Sequence, residues 1–184
     1  MSTVNLAAQD FLVFPANGCV GSQPQDILTL GGGRTAYLFF NAAGFPFGRP
    51  LLQARLLLFQ IPFGAVRAPG GGDAQYALYP LLKPFGIFSP LFAPPAIDPN
   101  RGVLFADPRS RSCTEVDITP IVRDWSASLL ENNGLLLTAP KTAPCVFIAS
   151  GRYRVAGMRP AVRLVFAGAG TEVLQSAPCS VAVR

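Results

Sequence analysis

The sequence predicts an all-β fold, a jelly-roll-like antiparallel β-sandwich with one short α-helix at about 119–131, and three observations carry it. Turn residues recur at short intervals, with 18 Gly and 18 Pro among 184 residues. The segments between them are short and rich in Val, Leu, Ile, Phe and Tyr, which fit a half-buried pleated surface. One stretch alone carries the three- and four-residue apolar spacing of a helix.

Candidate strands, in order, are 11–14, 26–30, 35–41, 52–59, 76–82, 102–105, 115–118, 135–138, 145–150, 161–167 and 172–176, with a last one at 180–183. Short strands at this spacing are the pattern of a sandwich or jelly roll. In 34–40 and 161–166 polar and apolar residues alternate only in part, as expected where both strand faces are covered. Gly31, Gly32 and Gly33 form a permissive turn. No Lys-Ser/Thr follows and a strand pattern comes next, so a hairpin is expected there and not a phosphate cradle. Residues 68–73 (APGGGD) read as an exposed loop. Residues 84–99 hold Phe85, Phe88 and Phe92 between prolines. A long apolar loop must pack against something, and these three side chains are candidate interface residues.

The helix lies in 116–137, VDITPIVRDWSASLLENNGLLL. A strand ends at Asp117 and Ile118; Thr119 can cap with its hydroxyl, and Pro120 suits the first turn, where no backbone N–H is needed. Ile121, Val122, Trp125, Leu129 and Leu130 fall on one helical face, and Asn132-Asn133-Gly134 stops the helix before Leu135-Leu136-Leu137 leaves as a buried strand. Trp125, the only Trp, is expected to anchor the helix on the sheet. Arg123 and Asp124 read as a solvated helix face.

This unit resembles the DNRLRE domain (the disaggregatase-related repeat), a family that groups with carbohydrate-binding modules on surface and secreted proteins. The resemblance rests on Asp117, Ile118, Thr119, Trp125, Asn133, Gly134 and Leu135 to Leu137. Upstream, Ala54-Arg55-Leu56-Leu57-Leu58-Phe59 is similar to the family's A-x-L-x-L strand. Downstream, Phe147-Ile148-Ala149-Ser150 and 159–166 (RPAVRLVF) are similar to its closing strands. The likeness spans roughly 8–166, and it departs from the pattern at 84–95, where proline and phenylalanine replace a Trp-containing stretch. It implies a β-sandwich and a link to carbohydrate binding.

Length suits a single sandwich domain at 10–167, with an N-terminal extension at 1–9 that can act as an inter-subunit strand and a C-terminal strand or extension at 168–184. Hydrophobic residues make up 50% and charged residues 14%, with a mean hydropathy of +0.37. A soluble domain ordinarily carries about a quarter charged residues. Either a large core sits under an uncharged polar surface, or much of the surface is buried against other copies; the second is the expectation, because the cores of interfaces are depleted in charge. The net charge of +5 comes from scattered residues, with Arg101, Arg109 and Arg111 interleaved by Asp98 and Asp107, so no nucleic-acid patch is expected.

No apolar run approaches the roughly 20 residues of a membrane span, so no membrane insertion is expected, and 1–5 lacks the basic and apolar regions of a Sec signal. The four cysteines, Cys19, Cys113, Cys145 and Cys179, lack metal-type spacing and are candidate disulfide partners, with Cys19 and Cys179 suited to links between subunits. The chain has no histidine, which excludes Ser-His-Asp and Cys-His sites and His-ligated metals. No catalytic residue, cofactor or metal is expected, and the chain reads as no enzyme. Of the ten acidic residues, Asp117 and Asp124 flank the helix start, Asp117 with a structural role near the first-turn N–H groups.

Low charge, spread cysteines and strand-like terminal segments together point to a structural subunit that self-assembles into an extracellular or spore-surface fibre by strand addition, with disulfides as reinforcement. A carbohydrate-binding module and a phage or virus structural protein are the alternatives. Partners are expected to be other copies, with surface polysaccharide a further candidate.

Overall fold

The computed structural model describes residues 1–7, 10–14, 26–41, 49–61, 75–85, 95–108 and 111–167. These form β1 (Ser2–Ala7), β2 (Asp10–Phe14), β3 (Ile27–Leu30), β4 (Thr35–Phe39), β5 (Leu51–Phe59), β6 (Tyr76–Pro80), β7 (Val103–Phe105), β8 (Cys113–Asp117), α1 (Thr119–Ser126), β9 (Leu135–Thr138), β10 (Val146–Ala149) and β11 (Ala161–Phe166). The all-β expectation holds. The sheets run β1-β11-β5-β8, β2-β4-β9-β6-β7 and β10-β3, and all their pairings are antiparallel. Strands close in sequence switch sheets repeatedly, which interleaves the chain as a jelly roll does.

Period-two side-chain alternation builds the core. In β11, Val162, Leu164 and Phe166 are buried while Ala161, Arg163 and Val165 are half-buried. Leu56 and Leu58 of β5, Leu38 of β4, Tyr76 and Leu78 of β6, and Leu135 and Leu137 of β9 join them in one continuous cluster. Each such side chain contributes on the order of 1.5–3 kcal/mol by leaving water. The small β10-β3 sheet is joined to the same frame. Ile61 N–H donates to the Phe147 carbonyl at 2.9 Å, and Gln60 bridges Ile148, just beyond the end of the β5–β11 pairing at Leu57. The triple-glycine segment is a tight turn, with Gly31 bridging Arg34 and all three glycines at positive φ, but it closes no hairpin: β3 pairs with β10 and β4 with β2 and β9, so the turn carries the chain from one sheet to another.

The helix is shorter than expected, Thr119–Ser126 rather than 119–131. Ser128 takes a left-handed φ of 56°, and Leu129, placed by spacing on the apolar face, is 70% exposed. The spacing continued, but the backbone had already turned. The Asn132-Asn133-Gly134 stop is corrected with it. Asn132 instead donates its amide to the Phe40 carbonyl, tying the segment before β9 to the end of β4.

The cap is also corrected. Asp117, not Thr119, accepts the first-turn N–H, with its Oδ1 2.9 Å from Thr119 N and 2.6 Å from Thr119 Oγ1. The Thr119 hydroxyl is then available to β5, accepting from Ala54 N–H at 2.9 Å, while Ile118 N–H donates to the Ala54 carbonyl. Trp125 is 7% exposed and lies in the core cluster with Ile121 and Val122, where α1 packs against β5.

The sequence sets residues 1–9 apart as an extension, whereas in the fold Ser2–Ala7 pairs along its whole length with β11 and belongs to the chain's own four-stranded sheet. The expected strands at 172–176 and 180–183 lie outside the described residues.

Candidate functional site

Four parts of the sandwich surface carry residues that set them apart from the central core. The first is the outward face of the five-stranded sheet. Opposite positions put Tyr37 of β4 beside Leu136 of β9, and Leu136 beside Tyr79 of β6. An outward row of this kind would ordinarily face water. Here Tyr37 and Leu136 are buried with Leu81, and Tyr79, Phe85 and Ile97 pack against them. Residues following β6 make the cover. Leu81 bridges Ile97, Leu82 N–H donates to the Ala96 carbonyl, and Phe85 lies against Tyr37 with ring centroids 5.6 Å apart. Burial pushes the Tyr37 phenol above its ordinary pKa, the direction expected where the charged form would lose its water.

Gly134 fits under this cover for a stereochemical reason. Its φ is +102°, and a Cβ there would lie 2.7 Å from the Leu38 carbonyl oxygen and 3.0 Å from the Phe85 ring. Phe85, expected at an interface between copies, thus packs on its own chain; Phe88 and Phe92 lie outside the described residues.

The second surface is the outward face of the four-stranded sheet. Arg55 stands opposite Arg163 on one side and Asp117 on the other, and Arg163 stands opposite Asn5. Glu115 lies between the two arginines, 2.5 Å from Arg55 and 3.4 Å from Arg163. One carboxylate relieves a like-charge pair that would otherwise oppose adjacent strands. Asp117 is held below the usual carboxylate range by the Thr119 hydroxyl and N–H, with help from Arg55 and Arg123.

A third group lies beside the helix. Arg101 pairs with Asp98 and, at 2.6 Å, with Asp124. Asp124, expected on a solvated face, therefore ties α1 to the 3-10 turn Pro99–Arg101. The expectation for Arg123 stands closer: it is exposed and reaches the Leu51 and Leu52 carbonyls only at 3.3 and 3.4 Å. Arg101 holds the Asp98 carboxyl below its ordinary pKa. A general acid at neutral pH needs the opposite shift. Among the described residues no three His, Cys, Asp or Glu side chains come together as a metal-binding group.

The edge strand β1 completes the inventory. Its sequence is STVNLA, with no charge, no proline and an unbroken register against β11. Natural sheet edges are usually guarded by charge, proline or a bulge. Among the described residues no strand pairs with the far side of β1. Val4 and Leu6 pack against the core cluster, while Asn5 is exposed.

Of the candidate disulfide residues, Cys113 is buried in β8, and Cys145 is exposed with its Sγ 3.8 Å from the Gly31 carbonyl; no disulfide joins the two. Cys19 and Cys179 lie outside the described residues. The sequence reasoning missed the Tyr37–Leu136–Tyr79 row, although the unalternated runs Tyr37-Leu38-Phe39-Phe40 and Leu135-Leu136-Leu137 carried its signal. It also missed the Arg55–Glu115–Arg163 group, signalled only by lone charges within apolar strands.

No helix among the described residues is long and apolar enough to cross a membrane. No family model matches the chain, and no curated protein matches it.

Proposed function

We propose that this chain is a non-enzymatic structural subunit that joins other copies by strand addition, building a fibre or appendage on an extracellular or spore surface. The observation that carries the reading is β1: a six-residue edge strand without charge, proline or bulge, on a chain with only 14% charged residues. An added strand satisfies main-chain donors and acceptors at a net gain of about 0.5–1.5 kcal/mol per hydrogen bond. Cys19 and Cys179 are the candidates for covalent reinforcement between copies.

Light scattering and negative-stain microscopy of the purified chain test this reading. Assemblies that grow with concentration are expected, and where disulfides reinforce them, release of monomers requires reductant together with denaturant. A chain that stays monomeric at high concentration under oxidising conditions refutes it.

A carbohydrate-binding module is the second reading. The likeness to the DNRLRE domain and the partly exposed rings of Tyr79 and Phe85 favour it. Specific signals on a glycan array, lost in Tyr79→Ala with folding intact, would establish it in place of the fibre.

A further inference from the structure

We infer that the strand added to β1 is β1 of a second copy, in antiparallel self-pairing about a two-fold axis at Asn5. The inference rests on the strand-addition reading and names the partner.

Two features of β1 select a copy of itself. Its six residues are uncharged, so two copies meet edge to edge without like charges in opposition. Its alternation is regular: Val4 and Leu6 turn to the core side, and Asn5 lies on the other face, opposite Arg163. Self-pairing centred on Asn5 then places Val4 opposite Leu6 of the second copy, twice over, and Asn5 opposite Asn5, where two amides can exchange hydrogen bonds. A one-residue slip would set Val4 opposite Asn5 and exchange the two faces; a two-residue slip toward the N-terminus would set Leu6 opposite Ser2. Centring on Asn5 keeps apolar against apolar. The contact is isologous and joins two four-stranded sheets into one of eight strands, within the ordinary size of open sheets. In a fibre it would be one of two alternating contacts.

The test places opposite charges at the axis. Asn5→Lys and Asn5→Glu are purified separately, and mass is followed by light scattering against concentration. The wild-type chain is expected to associate, each variant alone to lose that association, and the equimolar mixture to regain it, with the regained association weakening in high salt. Melting curves of each variant check folding, since position 5 faces Arg163. A second measurement uses the unaltered chain: the β1 amides must exchange with deuterium more slowly as concentration rises. A wild-type chain that remains monomeric overturns both this inference and the strand-addition reading. Folded variants that lose association and are not rescued by mixing overturn self-pairing alone. Variants that associate as wild type does, or β1 amides indifferent to concentration, remove β1 from the contact.

Discussion

The two outward faces of this sandwich treat water in opposite ways. On the four-stranded sheet, Arg55, Glu115, Asp117, Arg163 and Asn5 share the outward face with Leu57 and Phe59, and Glu115 pairs with both arginines. On the five-stranded sheet, the described side chains of β4, β9, β6 and β7 that point outward are Thr35, Tyr37, Phe39, Leu136, Thr138, Ala77, Tyr79 and Leu104, without a charge among them. The chain sets charged groups on one face and covers the Tyr37–Leu136 part of the other with its own segments around Leu81, Phe85 and Ile97. Part of the apolar surface is thus covered within the chain itself, and β1 is left, among the described residues, as the uncharged edge at which we propose that copies meet.

Substitutions on the two faces should separate in size. The yardstick is the shared interior: Trp125→Ala should cost about 3–5 kcal/mol in urea unfolding, as for other large buried aromatics. Tyr37→Ala should approach it, at roughly 3 kcal/mol, because the outward ring is covered as a core ring would be. A loss below about 1 kcal/mol would mean that the cover contributes little and the two faces are alike.

The charged face should respond more weakly. Asp117→Ala removes the acceptor of two hydrogen bonds from Thr119 and should cost about 1 kcal/mol, as other N-terminal helix caps do. Glu115→Gln should cost about 0–1 kcal/mol, a difference that shrinks in high salt, whereas the Tyr37→Ala effect should not. Equal salt sensitivity at both positions would erase the contrast.

Acid sharpens the same point. The Asp98 and Asp117 carboxyls are lowered in the folded chain, so each binds a proton less readily there than when unfolded. Their contribution is fully present above the unfolded value near pH 4 and is lost as pH falls through the lower folded values. Stability measured from pH 7 downward should therefore fall below about pH 4, and Asp117→Ala should flatten that fall. An unchanged profile in the variant would show that Asp117 gives no pH-dependent support.

Local chemistry made much of the fold legible in sequence. Turn residues and strand composition sufficed for the antiparallel strands, the three glycines for a tight turn at 31–34 though not for the change of sheet it makes, and Pro120 with the Ile121, Val122 and Trp125 spacing for a helix beginning at 119. These features depend on backbone stereochemistry and on neighbours a few residues away. The end of the helix was less legible, because Leu129 continues an apolar spacing that the left-handed Ser128 takes out of use.

Only the tertiary structure decided which surfaces are satisfied. Strand sequence shows that both faces of β4 are apolar, but not that residues 40 or more positions later in the chain cover the outer one. The use of Thr119 by Ala54 and of Asp124 by Arg101 likewise joins residues 65 and 23 positions apart. The same holds for β1, which the sequence set aside as an extension and which register against β11 made the edge of the chain's own sheet. Sequence alone determines what each segment prefers locally; sheet order determines which of its hydrogen-bonding groups and apolar faces are left for a partner, because pairing and burial are settled between segments distant in the chain.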